Sequence, residues 1–321
     1  MAEQYTYAVA RIRAKETSLL SMQDLEQVLA AKTEKEAALI LADKGFDGSG
    51  TYTTPEALLT EEMDKTKKLI EELVGDVSVF DVFLYADDFH NLKAAVKTAI
   101  GSERDGIFAS GGSVDVDTIK EAVKLRDFSI LPEMMRDAAE EALDVLMKTG
   151  DGQKADIIID KACLNAIKKA GSKADNEMIK NYAELTVALS DIKIAARGAV
   201  MKKSEGFIKS ALAECETVDI SSLSKAASEG EEELFEYLMH TSYGGAAEAL
   251  KISFSEFEKW CDNIIMTEIK KQKSNPFTIA PVAAYYLARE IEIKAVRIVL
   301  SGVINKLNDN SVRERLRDLY V

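Results

Sequence analysis

An all-α protein made of three copies of one helical unit is the fold this sequence predicts. Glycine and proline number 17 and 4 in 321 residues, about 7% where an average chain carries about 12%, so the turns that would punctuate a sheet are scarce. One short phrase recurs: Asn91-Leu92-Lys93 with Lys97, Asp191-Ile192-Lys193 with Arg197, and Glu292-Ile293-Lys294 with Arg297. The copies stand 100 and 101 residues apart, well beyond the roughly 20–50 residues of solenoid repeats. Around each copy the apolar residues advance by threes and fours, the period of a helix with one buried face.

Each unit opens on a helix-start signal. Ser21 precedes Asp24-Leu25-Glu26-Gln27-Val28-Leu29, Asp115 and Asp117 precede Ile119, and Asp219 with Ser221 and Ser222 precedes Leu223. Short oxygen side chains at such positions accept bonds from the unpaired N–H groups of a first turn. A long helix follows, marked by Asp64-Lys65, Asp160-Lys161-Ala162-Cys163 and Glu258-Lys259-Trp260-Cys261, which precede the phrase by 27 to 34 residues. The second long helix carries the phrase itself. Its apolar stripe is Tyr85, Phe89, Leu92 and Val96 in the first unit, and Met178, Tyr182, Leu185, Leu189, Ile192 and Ala196 in the second. The third keeps Tyr286, Ile293, Val296 and Leu300, but Glu290 stands where the others have Phe89 and Leu189, which makes it the loosest copy.

Boundaries near 105–115 and 215–220 divide the chain into lobes at 1–110, 111–216 and 217–321. The first boundary carries Gly101, Gly106, Gly111 and Gly112, a flexible joint by composition. The second is polar and acidic.

Composition excludes several classes of function. Hydrophobic residues at 47% and charged residues at 30% are the balance of a soluble globular protein. A net charge of −14 argues against nucleic acid and against anionic lipid, both of which need a basic face. A protein partner with basic patches is the natural counterpart. Cys163, Cys215 and Cys261 form no closed disulfide set and no CxxC pair, which is the usage of a reducing cytoplasm. Residues 1–16 carry Glu3, Arg11 and Arg13 without an apolar core, so no secretory signal is expected there. The longest uncharged apolar-rich stretch, 276–288, falls short of the ~18 residues of a membrane span.

The densest polar cluster is Asp87-Asp88-Phe89-His90-Asn91. On one helix only residues three or four apart share a face, so Asp87 can join His90 or Asn91 while Asp88 points elsewhere. A metal would need three or four converging donors, and a capping or inter-helix hydrogen-bonding role is the reading the spacing favours. A soluble metal-dependent hydrolase using Asp87 and His90 is the enzymatic rival. There is no Gly-x-x-x-x-Gly-Lys-Ser/Thr loop for nucleotide phosphates; Gly111-Gly112 and Gly244-Gly245 read as turns. His240, in Tyr237-Leu238-Met239-His240, reads as a packing histidine, and no nucleophilic triad is recognisable. The repeated bases Lys93, Lys97, Lys193, Arg197, Lys294 and Arg297 are candidates for inner-face or inter-lobe contacts, either turned to a common axis or paired with acids of a neighbouring unit. A helical-repeat scaffold for other proteins is the alternative to any more particular role.

Three further stretches point to one family. Tyr85 through Lys93, with its core Asp88-Phe89-His90-Asn91-Leu92-Lys93, is one. The opening Tyr7-Ala8-Val9-Ala10-Arg11-Ile12-Arg13-Ala14-Lys15-Glu16 is another. The last runs from Pro276-Phe277 through Tyr285, then from Arg313-Glu314-Arg315-Leu316 to Tyr320-Val321. In this order and at this length they resemble the C subunit of the archaeal-type and vacuolar-type rotary ATP synthases, whose eukaryotic counterpart is called the d subunit. The resemblance implies a funnel of three similar helical lobes around a central cavity. It implies a peripheral position on the cytoplasmic face of the membrane rotor ring, with the foot of the central shaft received in the cavity. Shaft subunits of the D and F type and the ring would be the partners. Torque would be transmitted without chemistry, so no catalytic, metal or cofactor-binding residue, nucleic acid or small-molecule ligand is expected.

Overall fold

Helix starts organise the chain. The computed structural model describes residues 5–46, 54–99, 101, 107–109 and 111–321, and among them every regular element is helical, as predicted. The first are α1 (Thr6–Glu16), α2 (Met22–Leu29), α3 (Glu34–Asp43), α4 (Pro55–Val74) and α5 (Asp81–Thr98). Next come α6 (Val116–Leu125), α7 (Glu133–Thr149), α8 (Gly152–Lys173), α9 (Glu177–Val200) and α10 (Glu205–Ala211). Then follow α11 (Ile220–Glu229), α12 (Glu231–Met239), α13 (Gly244–Ile252), α14 (Phe254–Lys270), α15 (Ala280–Asn305) and α16 (Asp309–Arg313).

The three predicted openings are capped helices. Ser21 forms a reciprocal capping box with Asp24 at α2, and Asp115 and Asp219 accept first-turn N–H bonds at α6 and α11. Each cap satisfies donors that would otherwise lack a partner. The acid-lysine echoes fall on α4, α8 and α14, and the three phrases on α5, α9 and α15, so each copy ends in a pair of long helices. Two local expectations fail. Gly244-Gly245 forms the first turn of α13 rather than a free turn. His240 is exposed at the C-terminal end of α12, because the apolar face of that helix is supplied by Leu234, Phe235 and Leu238.

Contacts gather the chain into two compact units, Met1–Val77 with Ala249–Val321, and Ser78–Glu248. In the first, α15 packs against α1, α2, α3, α4, α14 and α16. It is apolar on nearly every side, and a helix of that kind is stable only when enclosed. Leu25, Val28, Leu41 and Leu59 meet Val296, Val299 and Leu300 in its core. In the second unit, α8 packs against α5, α7 and α9, and α9 also packs on α11 and α12. The Phe83 ring meets Tyr182 edge-on, 4.7 Å between centroids.

One rule relates the copies. The phrase helix packs on the opening helix of the next copy: α5 on α6, α9 on α11, and α15 on α2. For the last copy, the next opening helix lies near the start of the chain. Residues 1–77 and 249–321 therefore share a unit, and the contact-defined division differs from the ranges 1–110, 111–216 and 217–321, which describe sequence repetition.

Where α8 meets α9 the backbones come unusually close. A Cβ placed on Gly171 would lie 2.2 Å from the Cβ of Ala183, so only glycine fits. Alanine would gain about 1 kcal/mol of helix propensity but force the helices apart at a cost of about 1–3 kcal/mol. Gly171→Ala is expected to lower the midpoint of denaturant unfolding, and to lose that penalty in an Ala183→Gly background. An equal penalty in both backgrounds contradicts the close contact.

Candidate functional site

Eight polar or charged residues are buried among the described residues, and seven of them lie at three places built alike. Each place centres on the leading residue of the repeated phrase. Buried polar atoms cost free energy unless they are bonded, so what these side chains hold defines their role.

In the first copy Asn91 is fully buried on α5. Its Oδ1 accepts the Ala109 backbone N–H at 2.7 Å, and its Nδ2 donates to the Ala109 carbonyl at 2.9 Å. Three residues earlier, buried Asp88 accepts the Ser113 hydroxyl at 2.7 Å and the Val114 N–H at 2.9 Å. His90 Nε2 stands 2.8 Å from the Ile107 carbonyl, so that nitrogen carries the proton. The segment leading into α6 is thus pinned to α5 at four residues. Gly112 is required in it, since a Cβ there would fall 2.2 Å from Asp88 Oδ1. The predicted flexible joint is corrected for the described residues 107–109 and 111–114, which these bonds hold; Gly106 lies outside the described residues. The expectation that Asp88 points elsewhere is corrected too, because Asp88 and Asn91, three apart, share the buried face.

In the second copy Asp191, fully buried on α9, accepts the Ala213 N–H at 3.1 Å. Its other oxygen has no partner among the described residues. Burial pushes its pKa up to about 7, against the pull of the Ala213 N–H and the charge of Lys161. Two turns earlier on the same face of α9, Glu184 Oε1 accepts the Glu216 and Thr217 N–H groups at 2.8 and 2.7 Å and the Thr217 hydroxyl at 2.7 Å. These bonds fix the segment that leads into α11.

The third copy holds a segment far away in sequence. Glu292 Oε1 on α15 accepts the backbone N–H of Leu20, just before α2. Its Oε2 binds Arg289 Nη1, and Arg289 reaches Glu62 on α4 at 2.9 Å and Thr66 at 3.4 Å. Glu62 also takes Lys65 at 2.8 Å. The buried Arg289 pairs with both buried acids, and the exposed Lys65 supplies the second positive charge at the cluster's edge, so the charges balance as a buried ionic cluster requires. Arg289 occupies the place that Asp88 holds in the first copy, and Phe46 stacks beneath its guanidinium at 4.8 Å.

The six repeated bases are placed in different ways. Lys93 pairs with Asp160 on α8, and Lys97 with Asp156 on the same helix at 2.8 Å. Arg297 grips Glu56 on α4 with two bonds of 2.8 and 3.1 Å. Lys294 lies 3.4 Å from Asp262 on α14. Lys193 is half-buried and Arg197 exposed on α9. The cysteines are free thiols, and burial raises Cys163 to about 12 and Cys215 to about 11. Asp87 and His90 belong to no cluster of three or more metal-ligating side chains among the described residues.

The fold and its three pinned segments define an all-α protein in which Asn91, Asp191 and Glu292 each hold a backbone N–H of its own chain. The chain belongs to the ATP synthase (C/AC39) subunit family, whose model matches residues 8–315. It is 21% identical to the C subunit of the V-type sodium ATPase of Enterococcus hirae, over 96% of this chain and 97% of that one. Identity to the C subunit of the A-type ATP synthase of Methanocaldococcus jannaschii is 21%, over 98% and 86% of the two chains. Identity to the C subunit of the V-type ATP synthase of Thermus thermophilus is 20%, over 93% and 94%. The protein is therefore a subunit of a V/A-type rotary ATPase, and not the one that turns over ATP. No helix among the described residues is long and apolar enough to cross a membrane.

Asp191 makes the second pinned segment sensitive to pH. Its folded-state pKa of about 7 exceeds the ordinary value of 3.8, so its protonated form favours the fold below pH 4 and that stability is lost as pH rises to 7, by up to about 4 kcal/mol. Asp191→Asn, the amide found at Asn91, is expected to stabilise the protein by about 1–3 kcal/mol at pH 8 and to make little difference near pH 4. Denaturant unfolding at the two pH values measures this, and a variant that is equally stable or weaker at pH 8 contradicts it.

Proposed function

We propose that this subunit is the non-catalytic adaptor of the central stalk, joining the rotating shaft to the membrane rotor ring and transmitting torque between ATP turnover and ion transport. The observation that carries this reading is the match to the subunit family over residues 8–315. It is supported by a framework of long helices whose connecting segments are pinned at buried side chains, since an element that carries torque has to resist twisting. We assign the three copies to three lobes around a central cavity, at 1–110, 111–216 and 217–321. Shaft subunits of the D and F type seat in the cavity, and the rotor ring lies on the other side, at the cytoplasmic face.

Some of the repeated bases then act between lobes. Lys93 and Lys97 tie the first to the second through Asp160 and Asp156, and Arg297 ties the third to the first through Glu56. Lys294 instead pairs with Asp262 within the third lobe, so the ties between lobes rest on Lys93, Lys97 and Arg297. The net charge of −14 favours attachment through basic surfaces of partner proteins over adhesion to anionic lipid.

Reconstitution of the complex tests the role. Complexes lacking this subunit are expected to retain ATP hydrolysis and to lose ATP-driven ion transport, which returns when the subunit is added back. Its binding to isolated shaft or ring is expected to weaken as salt is raised. Full ion transport without the subunit contradicts the assignment.

A further inference from the structure

One cavity of the unit formed by Met1–Val77 and Ala249–Val321 borders the Arg289 cluster of the third pinned segment and extends beyond it. It has a volume of about 570 Å³ and lies among α1, α4, α15 and the end of α3. Six cationic side chains line it, Arg11, Lys15, Lys44, Lys65, Lys68 and Arg289, against two carboxylates, Glu62 and Glu72. In a chain of net charge −14, this local excess of positive charge opposes the field of the whole protein.

Part of that charge is neutralised internally. Arg289 and Lys65 are committed to the buried cluster, and Lys44 is paired with Asp24 at 2.5 Å. Lys15 and Lys68 are exposed and form no ion pair among the described residues. The guanidinium of Arg11 meets the hydroxyl and ring of Tyr7, neither of which cancels its charge. A neutral donor lines the same cavity: Tyr285 is 6% exposed, and its hydroxyl has no hydrogen-bond partner among the described residues. Burial raises that phenol to about 12, so it keeps its proton.

We propose that this cavity binds a multiply charged phosphate-bearing anion, with Arg11, Lys15 and Lys68 matching its charge and the Tyr285 hydroxyl donating to a phosphate oxygen. Set against the remaining carboxylate Glu72, the three cations leave an excess of two charges; a ligand carboxylate would match only one of them, whereas phosphate groups match both within a pocket of small-ligand size. The same chemistry is presented by a soluble diphosphate and by a phosphate-bearing lipid headgroup. The inference is independent of the adaptor role.

Calorimetric titration of the full-length protein with inorganic pyrophosphate at low ionic strength tests it. A parallel arm uses phosphatidylcholine vesicles with and without phosphatidic acid. Saturable binding that weakens with added salt is expected, with affinity reduced about tenfold in the Lys15→Gln/Lys68→Gln double variant. Tyr285→Phe is expected to weaken binding with the salt dependence unchanged, which separates the hydrogen bond from the charge and gives a second readout if the double variant is unstable. Pyrophosphate binding without vesicle binding assigns a soluble ligand. Binding to phosphatidic acid vesicles, displaced by pyrophosphate, assigns a lipid headgroup. No binding of either probe, or binding unaltered in these variants, overturns the proposal.

Discussion

The structure depends on one repeated constraint: a buried polar side chain at the head of each phrase grips the backbone N–H of the segment that leads into the next opening helix. Asn91 holds Ala109, Asp191 holds Ala213, and Glu292 holds Leu20. A backbone N–H removed from water needs a partner, and a buried carboxylate or amide needs one as much. Each requirement answers the other, so the connection is fixed in place and not merely covered. The opening helices are then docked on the phrase helices through α5–α6, α9–α11 and α15–α2.

The copies meet the constraint with different chemistry. An amide can both accept and donate, and Asn91 does both with one peptide unit. Asp191 accepts the Ala213 N–H with one oxygen and leaves the other without a partner among the described residues, and burial raises its pKa. Glu292 is longer by one methylene and reaches a segment that is remote in sequence, and its second oxygen requires Arg289. Because the third grip closes on Leu20, the two ends of the chain are bound into one unit. Among the described residues, the one buried polar residue outside these places, Ser224, bonds a carbonyl of its own helix, that of Ser221.

Much of the scaffold is legible in the sequence because it rests on local rules. Period-3.6 apolar residues mark α5, α9 and α15, and Ser21, Asp115 and Asp219 mark the openings. Glu290 makes the third copy the loosest match to the repeat, and its helix α15 is nonetheless the most enclosed of the three phrase helices. Glu290 sits half-buried at its edge, and the core is filled by Val296, Val299 and Leu300 against residues from the start of the chain. No local pattern reports that pairing. The polar grips are half legible. The repeated acid or amide is visible at 91, 191 and 292, but its partner is a backbone N–H, which has no letter, and the adjoining lysines are the more conspicuous signal. Asp88 is recoverable from its three-residue spacing to Asn91, and Gly112 becomes intelligible only once Asp88 is known to press against it.

Joints held in this way fit the torque-passing role proposed above, because shape is retained by bonds at the joints as well as by packing along the helices. Amide hydrogen exchange at Leu20, Ala109 and Ala213 measures the grips most directly. Removing one acceptor at a time, with Asn91→Ala, Asp191→Ala and Glu292→Ala, is predicted to accelerate exchange about ten- to a hundredfold at the amide held by that side chain, with the other two amides little changed. Exchange that stays slow at the matching amide, or that rises equally at all three, would contradict the account.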